Sequence, residues 1–385
     1  MQLSKHIYII ASFVFVIIVL GLAFFSDRIV PTSKSTVRQN QATEKLYVAL
    51  EDEGAIAIID TKDNSLLGKI DLTYKNGEME VGYSAHNVQV APDGKSVWVT
   101  ANFMGLGGHE EENDSTENDE TEEVISDQVI VIDPQKDSIV KRIDIGTDQH
   151  LAHIVVTRDG KTAFTTAQEP GLVYKISGIT YKVEKTIPLT KDAQPHGLRL
   201  STDDTKAYVA FIGGKGIGVV DTRTNEVTTI LLSGSAVQTA VIPNTNYIAA
   251  SVYDTKQMAF YDTDTGEVFY ISLPSESEGA IQSYATPDGR YLYVADQGYY
   301  FGKPTSDYVY VIDIQEKRVT SNIQAGVAPH GVVVSPDGKR AYITNLLSDD
   351  VSVIDTATNK EIAKIKVGKM PNGISLWSNQ SGGTP

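Results

Sequence analysis

Residues 329–367 read PHGVVVSPDGKRAYITNLLSDDVSVIDTATNKEIAKIKV, and the punctuation of this stretch decides the fold. Gly331 to Val334 is a short apolar run that ends in the turn Ser335-Pro336-Asp337-Gly338. Proline presets φ in such a turn and glycine accepts a positive φ. Arg340 to Asn345 reads as a second strand. Val351 to Ile354 reads as a third, closed by Asp355-Thr356-Ala357-Thr358-Asn359, and Glu361 to Val367 as a fourth. β-branched and aromatic residues fill the runs, and turn formers fill the gaps.

Outward from this stretch, the second strand recurs. It appears as Leu46-Tyr47-Val48-Ala49, Val97-Trp98-Val99-Thr100, Ala163-Phe164-Thr165-Thr166, Ala207-Tyr208-Val209-Ala210, Tyr247-Ile248-Ala249-Ala250, Leu292-Tyr293-Val294-Ala295 and Ala341-Tyr342-Ile343-Thr344. A period of about 40–50 residues is the signature of an array of small sheets. Cutting at first strands gives repeats at 86–149, 150–194, 195–236, 237–278, 279–328 and 329–370. Residues 45–85 hold second, third and fourth strands without a first. Residues 371–377, Pro-Asn-Gly-Ile-Ser-Leu-Trp, are a first strand with nothing after it. Joined, the two fragments make a seventh repeat that closes a ring and hides its edges. The expectation is an all-β, seven-bladed β-propeller closed by a shared first and last blade. One acidic position recurs as Asp60, Asp133, Asp221, Asp262, Asp313 and Asp355, with Ser177 in the remaining repeat. Each opens a turn, so the expected role is to cap that turn's own amides.

The motifs Pro329-His330-Gly331, Ser335-Pro336-Asp337-Gly338, Ala341-Tyr342-Ile343-Thr344-Asn345 and Val353-Ile354-Asp355-Thr356 resemble the YVTN family of β-propellers, which includes periplasmic YncE-like proteins. The resemblance covers nearly all of 45–377. It implies the ring but not one activity, because similar rings serve as binding proteins, cofactor-dependent oxidoreductases and lactonases.

The chain has 385 residues, a formal net charge of −16 and no cysteine. The lack of cysteine excludes a disulfide scaffold, a thiol nucleophile and haem attached through Cys-x-x-Cys-His. The acidity argues against nucleic acid as a partner, since that binding rests on Lys and Arg neutralising phosphates. Residues 7–26, IYIIASFVFVIIVLGLAFFS, carry no charge. At about 1.5 Å per residue they can span a bilayer core of roughly 30 Å. Residues 1–6 are then a cytoplasmic N-terminus, 7–26 a single-pass transmembrane helix tethering the chain to the cell membrane, and 27–44 a linker. The alternative is a cleaved signal peptide with Gly21-Leu22-Ala23 as the cutting site, giving a secreted protein. Either way the propeller, 45–377, is expected outside the cytoplasm, with 378–385 a flexible tail.

Propeller geometry places the first strand beside the central channel. The loop into it shares a face with the loop between second and third strands. His86, His196 and His330 each lie seven residues before a turn Asp, and Asn372 takes that position in the shared blade. His150 and His153 lie within two residues of it. Only His6 and His109 fall elsewhere. Imidazoles at a channel mouth suit a transition metal, a haem-like cofactor or an anion. The competing expectation is structural: a histidine of the repeat bonding a neighbouring blade's backbone.

Three loops on the same face are enlarged. The acidic loop, 104–127, holds nine carboxylates between His109 and Glu123. It lacks the Asp-x-Asp-x-Asp-Gly order of a dedicated calcium loop, so a solvated segment is expected. Phe211 to Gly216 is glycine-rich, but it precedes a strand and lacks the Gly-Lys-Ser/Thr ending of a phosphate loop. Gln297 to Pro304 presents Tyr299, Tyr300 and Phe301, either buried beneath the loop or forming a recognition platform for a small ligand or a protein.

No nucleophile elbow, His-Glu-x-x-His motif or recognisable carboxylate pair is evident. The first expectation is therefore a membrane-tethered binding or scaffold propeller without catalytic residues. The alternative is a metal- or cofactor-dependent oxidoreductase or metal-handling protein centred on the histidines. A lactonase-like hydrolase and a single-strand DNA-binding role rank below both.

Overall fold

The computed structural model describes residues 42–76, 79–107, 125–190, 192–379 and 382–383. They form seven antiparallel sheets. The innermost strands are Met79–Val90, Leu151–Val156, Pro195–Leu200, Ala236–Val241, Ala280–Ala285, Pro329–Val334 and Pro371–Ser378. Each packs against the next all the way round, so the blades, numbered 1 to 7 in that order, close a ring. Blade 7 combines both ends of the chain: Pro371–Ser378 pairs antiparallel with Glu44–Leu50, Leu46 opposite Leu376 and Val48 opposite Ile374. The expected anchor at 7–26, the expected linker up to residue 41 and the acidic stretch 108–124 lie outside the described residues. Among the described residues no helix is long and apolar enough to cross a membrane.

Second strands are the packing core. Tyr47, Trp98, Phe164, Tyr208, Tyr293 and Tyr342 are all buried between neighbouring sheets. Blade 4 departs from the expected alignment. Ala250 pairs with Thr239 as Ile343 pairs with Val332, so Ala249, not Tyr247, takes the aromatic position. The reason is compensation: Phe260 lies directly opposite Ala249 and is fully buried. Tyr247 is displaced to the rim, edge-on to Phe260 and Phe269.

Blade 1 is longer than the repeat predicts. Met79–Val90 pairs with Val97–Gly107 as far as Glu80 opposite Gly107, and Tyr74–Asn76 adds a fifth strand. Residues 104–107, expected in a loop, are therefore strand. Val81 and Tyr83 bury on one face of this arm, which is the alternation a half-buried strand needs. At the other end, Ser378 belongs to the innermost strand of blade 7, and Gly382–Gly383 pairs back onto it.

The recurring turn acids cap their own turns. Asp60 accepts from the Lys62 amide, Asp133 from Gln135, Asp221 from Arg223, Asp262 from Asp264, Asp313 from Glu316 and Asp355 from Thr358. Ser177 serves the Thr180 amide in the same way.

Every innermost strand shifts register against the second strand at the histidine position. Such a bulge leaves one backbone amide without its ladder partner. A hydroxyl takes its place. The Gly331 amide donates to Thr344 Oγ1 at 2.7 Å, and that hydroxyl donates to the Asn372 carbonyl of the next blade, also at 2.7 Å. Thr100, Thr166 and Ser251 bridge to Ala152, His196 and Ile281 in the same way. In these four blades the second-strand hydroxyl is thus an inter-blade stitch. Thr344→Val keeps the shape but orphans a buried amide and a buried carbonyl. The expected loss is about 1–3 kcal/mol in the unfolding free energy measured with urea, whereas an unchanged midpoint would remove the stitch's energetic role.

Candidate functional site

The bulges turn the histidine-position side chains into the channel mouth. His86, His153 and His196 come together there. One ring nitrogen from each lies within 4.8 Å of the others, and all three side chains are buried. Ring centroids are 5.4 Å apart for His86 and His196, 5.1 Å for His153 and His196, and 5.9 Å for His86 and His153. His150 stands at the edge, half-exposed, with its ring 6.2 Å from His86 and its Nδ1 3.9 Å from Glu169. His330 is fully buried but sits across the mouth, edge-on to Tyr300 at 5.5 Å.

Hydrogen-bond partners assign the tautomers. His196 Nδ1–H donates to the Val237 carbonyl of blade 4 at 3.0 Å, which leaves a lone pair on Nε2. His86 Nδ1–H points at Glu51 Oε1 at 3.4 Å. His153 is opposite in sense. Gln238 Oε1 accepts the Thr239 amide at 2.9 Å, so its NH2 group donates to His153 Nδ1 at 3.2 Å and the His153 proton sits on Nε2. His330 follows His153: Gln297 Oε1 accepts the Tyr300 amide, and its NH2 group donates to His330 Nδ1 at 2.7 Å. The Nε2 atoms of His86, His153 and His330 are buried without a hydrogen-bond partner. Burial, with the neighbouring imidazoles, holds His153 and His196 well below the ordinary histidine value. Burial likewise brings His330 down to about 3. These three rings are neutral at physiological pH.

Glu51 is the site residue that sequence reasoning missed. It follows the second strand of blade 7, in the loop class already assigned to this face. Burial raises its carboxyl, but the hydrogen bond and charge attraction from His86, with hydrogen bonds from Tyr300 and Asn372, outweigh that and hold it at about 2. Asn372 Nδ2 donates to Glu51 Oε2 at 2.8 Å, and the Tyr300 hydroxyl donates to the same oxygen. Gln238 and Gln297 were also missed. Gln238 occupies the register of His153, one residue past the repeat histidine, while Gln297 opens a loop quoted for its aromatics.

That loop splits between the two expectations. Phe301 stacks on Tyr253 at 4.0 Å and packs on the core. Tyr300 exposes its ring but encloses its hydroxyl between Glu51 and Asn372. Tyr299 is exposed. The base of the acidic loop is anchored by Asp127, whose carboxylate accepts the amides of Phe103, Gln149 and His150.

Comparison with known proteins identifies the fold. No family model and no curated protein matches the chain. Among solved structures it is similar to Kuenenia stuttgartiensis hydrazine synthase, with a TM-score of 0.64 at 18% identity, over 84% of this chain and 95% of that one. It is also similar to the dihydro-haem d1 dehydrogenase NirN in complex with DHE, with a TM-score of 0.56 at 13% identity, over 89% and 77%. At these identities the likeness is one of fold: the chain is a seven-bladed β-propeller.

Proposed function

We propose that this protein is a metal-handling propeller of the YVTN type that holds a transition-metal ion at the mouth of its channel. The observation that carries the reading is the buried trio His86, His153 and His196, with two orphaned Nε2 atoms. His196 offers its lone pair as it stands, and His86 and His196 each have Nδ1–H engaged by an oxygen, the arrangement that orients metal-binding imidazoles. His153 becomes the third ligand when the Gln238 amide turns over. Nitrogens on a tetrahedral ion at about 2.0–2.1 Å lie roughly 3.3–3.4 Å apart, so binding draws the rings together. Copper and zinc suit neutral imidazoles. Glu51 supplies a negative charge beside the ion. The similar propellers come from a hydrazine synthase and a dihydro-haem d1 dehydrogenase, and no residue is carried over from them.

Metal titration of the purified ring tests the reading. Copper or zinc is expected to bind at one equivalent. His86→Ala and His196→Ala are each expected to weaken it at least tenfold, about 1.4 kcal/mol. Gln238→Glu would accept His153 Nδ1–H and free Nε2, so it is expected to tighten binding about 10–100-fold. Absence of stoichiometric metal, or binding indifferent to His86 and His196, overturns the proposal. The charge-free span 7–26 further supports tethering with the ring outside the cytoplasm. Protease treatment of intact cells checks this, since a protected ring contradicts it.

A further inference from the structure

The other end of the channel holds a cavity of about 250 Å³, lined by the last residues of the innermost strands and the turns that follow them. We propose that it binds a small organic carboxylate, with the Arg199 guanidinium as anion receptor and the apolar walls holding the body of the ligand. This site is independent of the histidine cluster.

Three observations carry the inference. Arg199 lines the cavity, and its one described hydrogen bond runs from Nη1 to the Leu198 carbonyl at 3.0 Å. No carboxylate lies within ion-pair distance of it among the described residues. Asp204, the acid lining the cavity, is already engaged by the Arg158 amide at 2.9 Å and by Arg158 Nε at 3.3 Å. One cation therefore stands uncompensated in a chain of net charge −16. Second, Ser283 lines the same cavity, is 1% exposed, and its Oγ has no partner. A buried hydroxyl without a partner is costly and points to a polar group that the site is built to receive. Third, the walls are apolar: Val155, Ala240 and Val241 line the cavity.

The chemistry narrows the ligand. The volume is at the small end of ligand pockets. A planar guanidinium fork matches a carboxylate through two parallel hydrogen bonds. A single free cation suits a monoanion rather than a phosphate dianion, and the hydrophobic walls favour a short aliphatic or aromatic body. Burial lowers the Arg199 affinity for its proton without discharging it, so it pairs readily with an incoming anion.

The experiment is titration of the full ring with benzoate and hexanoate, followed by calorimetry and thermal shift. Saturable binding of at least one is expected, with benzyl alcohol and inorganic phosphate at least tenfold weaker. Arg199→Met is expected to weaken the carboxylate at least tenfold, and a melting curve establishes that this variant folds. Ala240→Phe fills the cavity without touching the charge and is expected to abolish binding. His86→Ala is expected to leave it unchanged, which separates this site from the metal proposal. No saturable binding of either carboxylate, equal affinity for benzyl alcohol or phosphate, or full affinity in both the Arg199 and the Ala240 variants overturns the inference.

Discussion

Acidification from pH 7 to about 4.5 is expected to remove about 3 kcal/mol of folding stability through His330 alone, with His153 and His196 adding to the loss. His153, His196 and His330 have folded-state pKa values far below that of an unfolded histidine, because burial disfavours the imidazolium. The sign follows from proton binding. Below about pH 6.5 the unfolded chain takes up protons at these positions and the folded ring does not. Each histidine therefore costs about 1.4 kcal/mol per pH unit from there until its folded pKa is reached. His330, at about 3, keeps this slope across the whole window. Glu51, held at about 2, adds a loss in the same direction, but only once pH falls below the usual carboxylate range. Urea midpoints at pH 7, 6, 5 and 4.5 measure the effect. A midpoint flat down to pH 5 would show that water or protons reach these rings. If the proposed metal site forms only in the folded ring, saturating metal is expected to shift the transition.

Asp137→Asn is expected to cost about 3–5 kcal/mol. Lys45 is 4% exposed, and its ammonium donates to both Asp137 oxygens, at 2.7 and 2.9 Å, and to the Pro134 carbonyl. The Tyr47 hydroxyl donates to the same carboxylate. The ammonium also lies 4.8 Å above the Trp377 ring. This cluster ties Glu44–Leu50, Pro371–Ser378 and a turn of blade 1 at the point where the ring closes. Asparagine tolerates the positive φ of 49° at this position, so the variant removes charge and not shape. It leaves Lys45 buried without a counterion. Pairing it with Lys45→Met is expected to restore most of the stability, because an apolar side chain needs no counterion. Glu80→Gln, at the exposed Lys75–Glu80 pair, is expected to change stability by under about 1 kcal/mol. Chemical denaturation of the four proteins decides. A small loss at Asp137, or no recovery in the double variant, would place the closure energy in the apolar packing instead.

Much of the ring was legible because strand and turn chemistry is local. The split of blade 7 could be read from a first strand at 371–377 with no successor, and the pairing of Leu46 with Leu376 follows it. The turn acids were legible for the same reason, since an Asp capping an amide two or three residues on needs no distant partner. The alignment of Tyr247 was not. Its displacement depends on Phe260 filling the place opposite Ala249, a contact across strands that no single run of residues announces.

The histidine face was half legible. Register alone brought His86, His196 and His330 to the channel mouth, but the bulge and the ring curvature decided which rings meet. His196 does what a repeat histidine was expected to do, bonding the next blade's backbone. His86 does not, because Glu51 from blade 7 stands beside it.

The sequence by itself determined the number of blades, the way the ends close the ring, and the end of the channel that carries the histidines. These follow from periodicity and from turn residues that act on their immediate neighbours. Tertiary structure alone decided the protonation of His153, His196 and His330, the role of Glu51 and the uncompensated charge of Arg199. Each of those depends on a partner, or the lack of one, across separate blades, and in a buried channel an oxygen a few ångströms away sets where a proton rests.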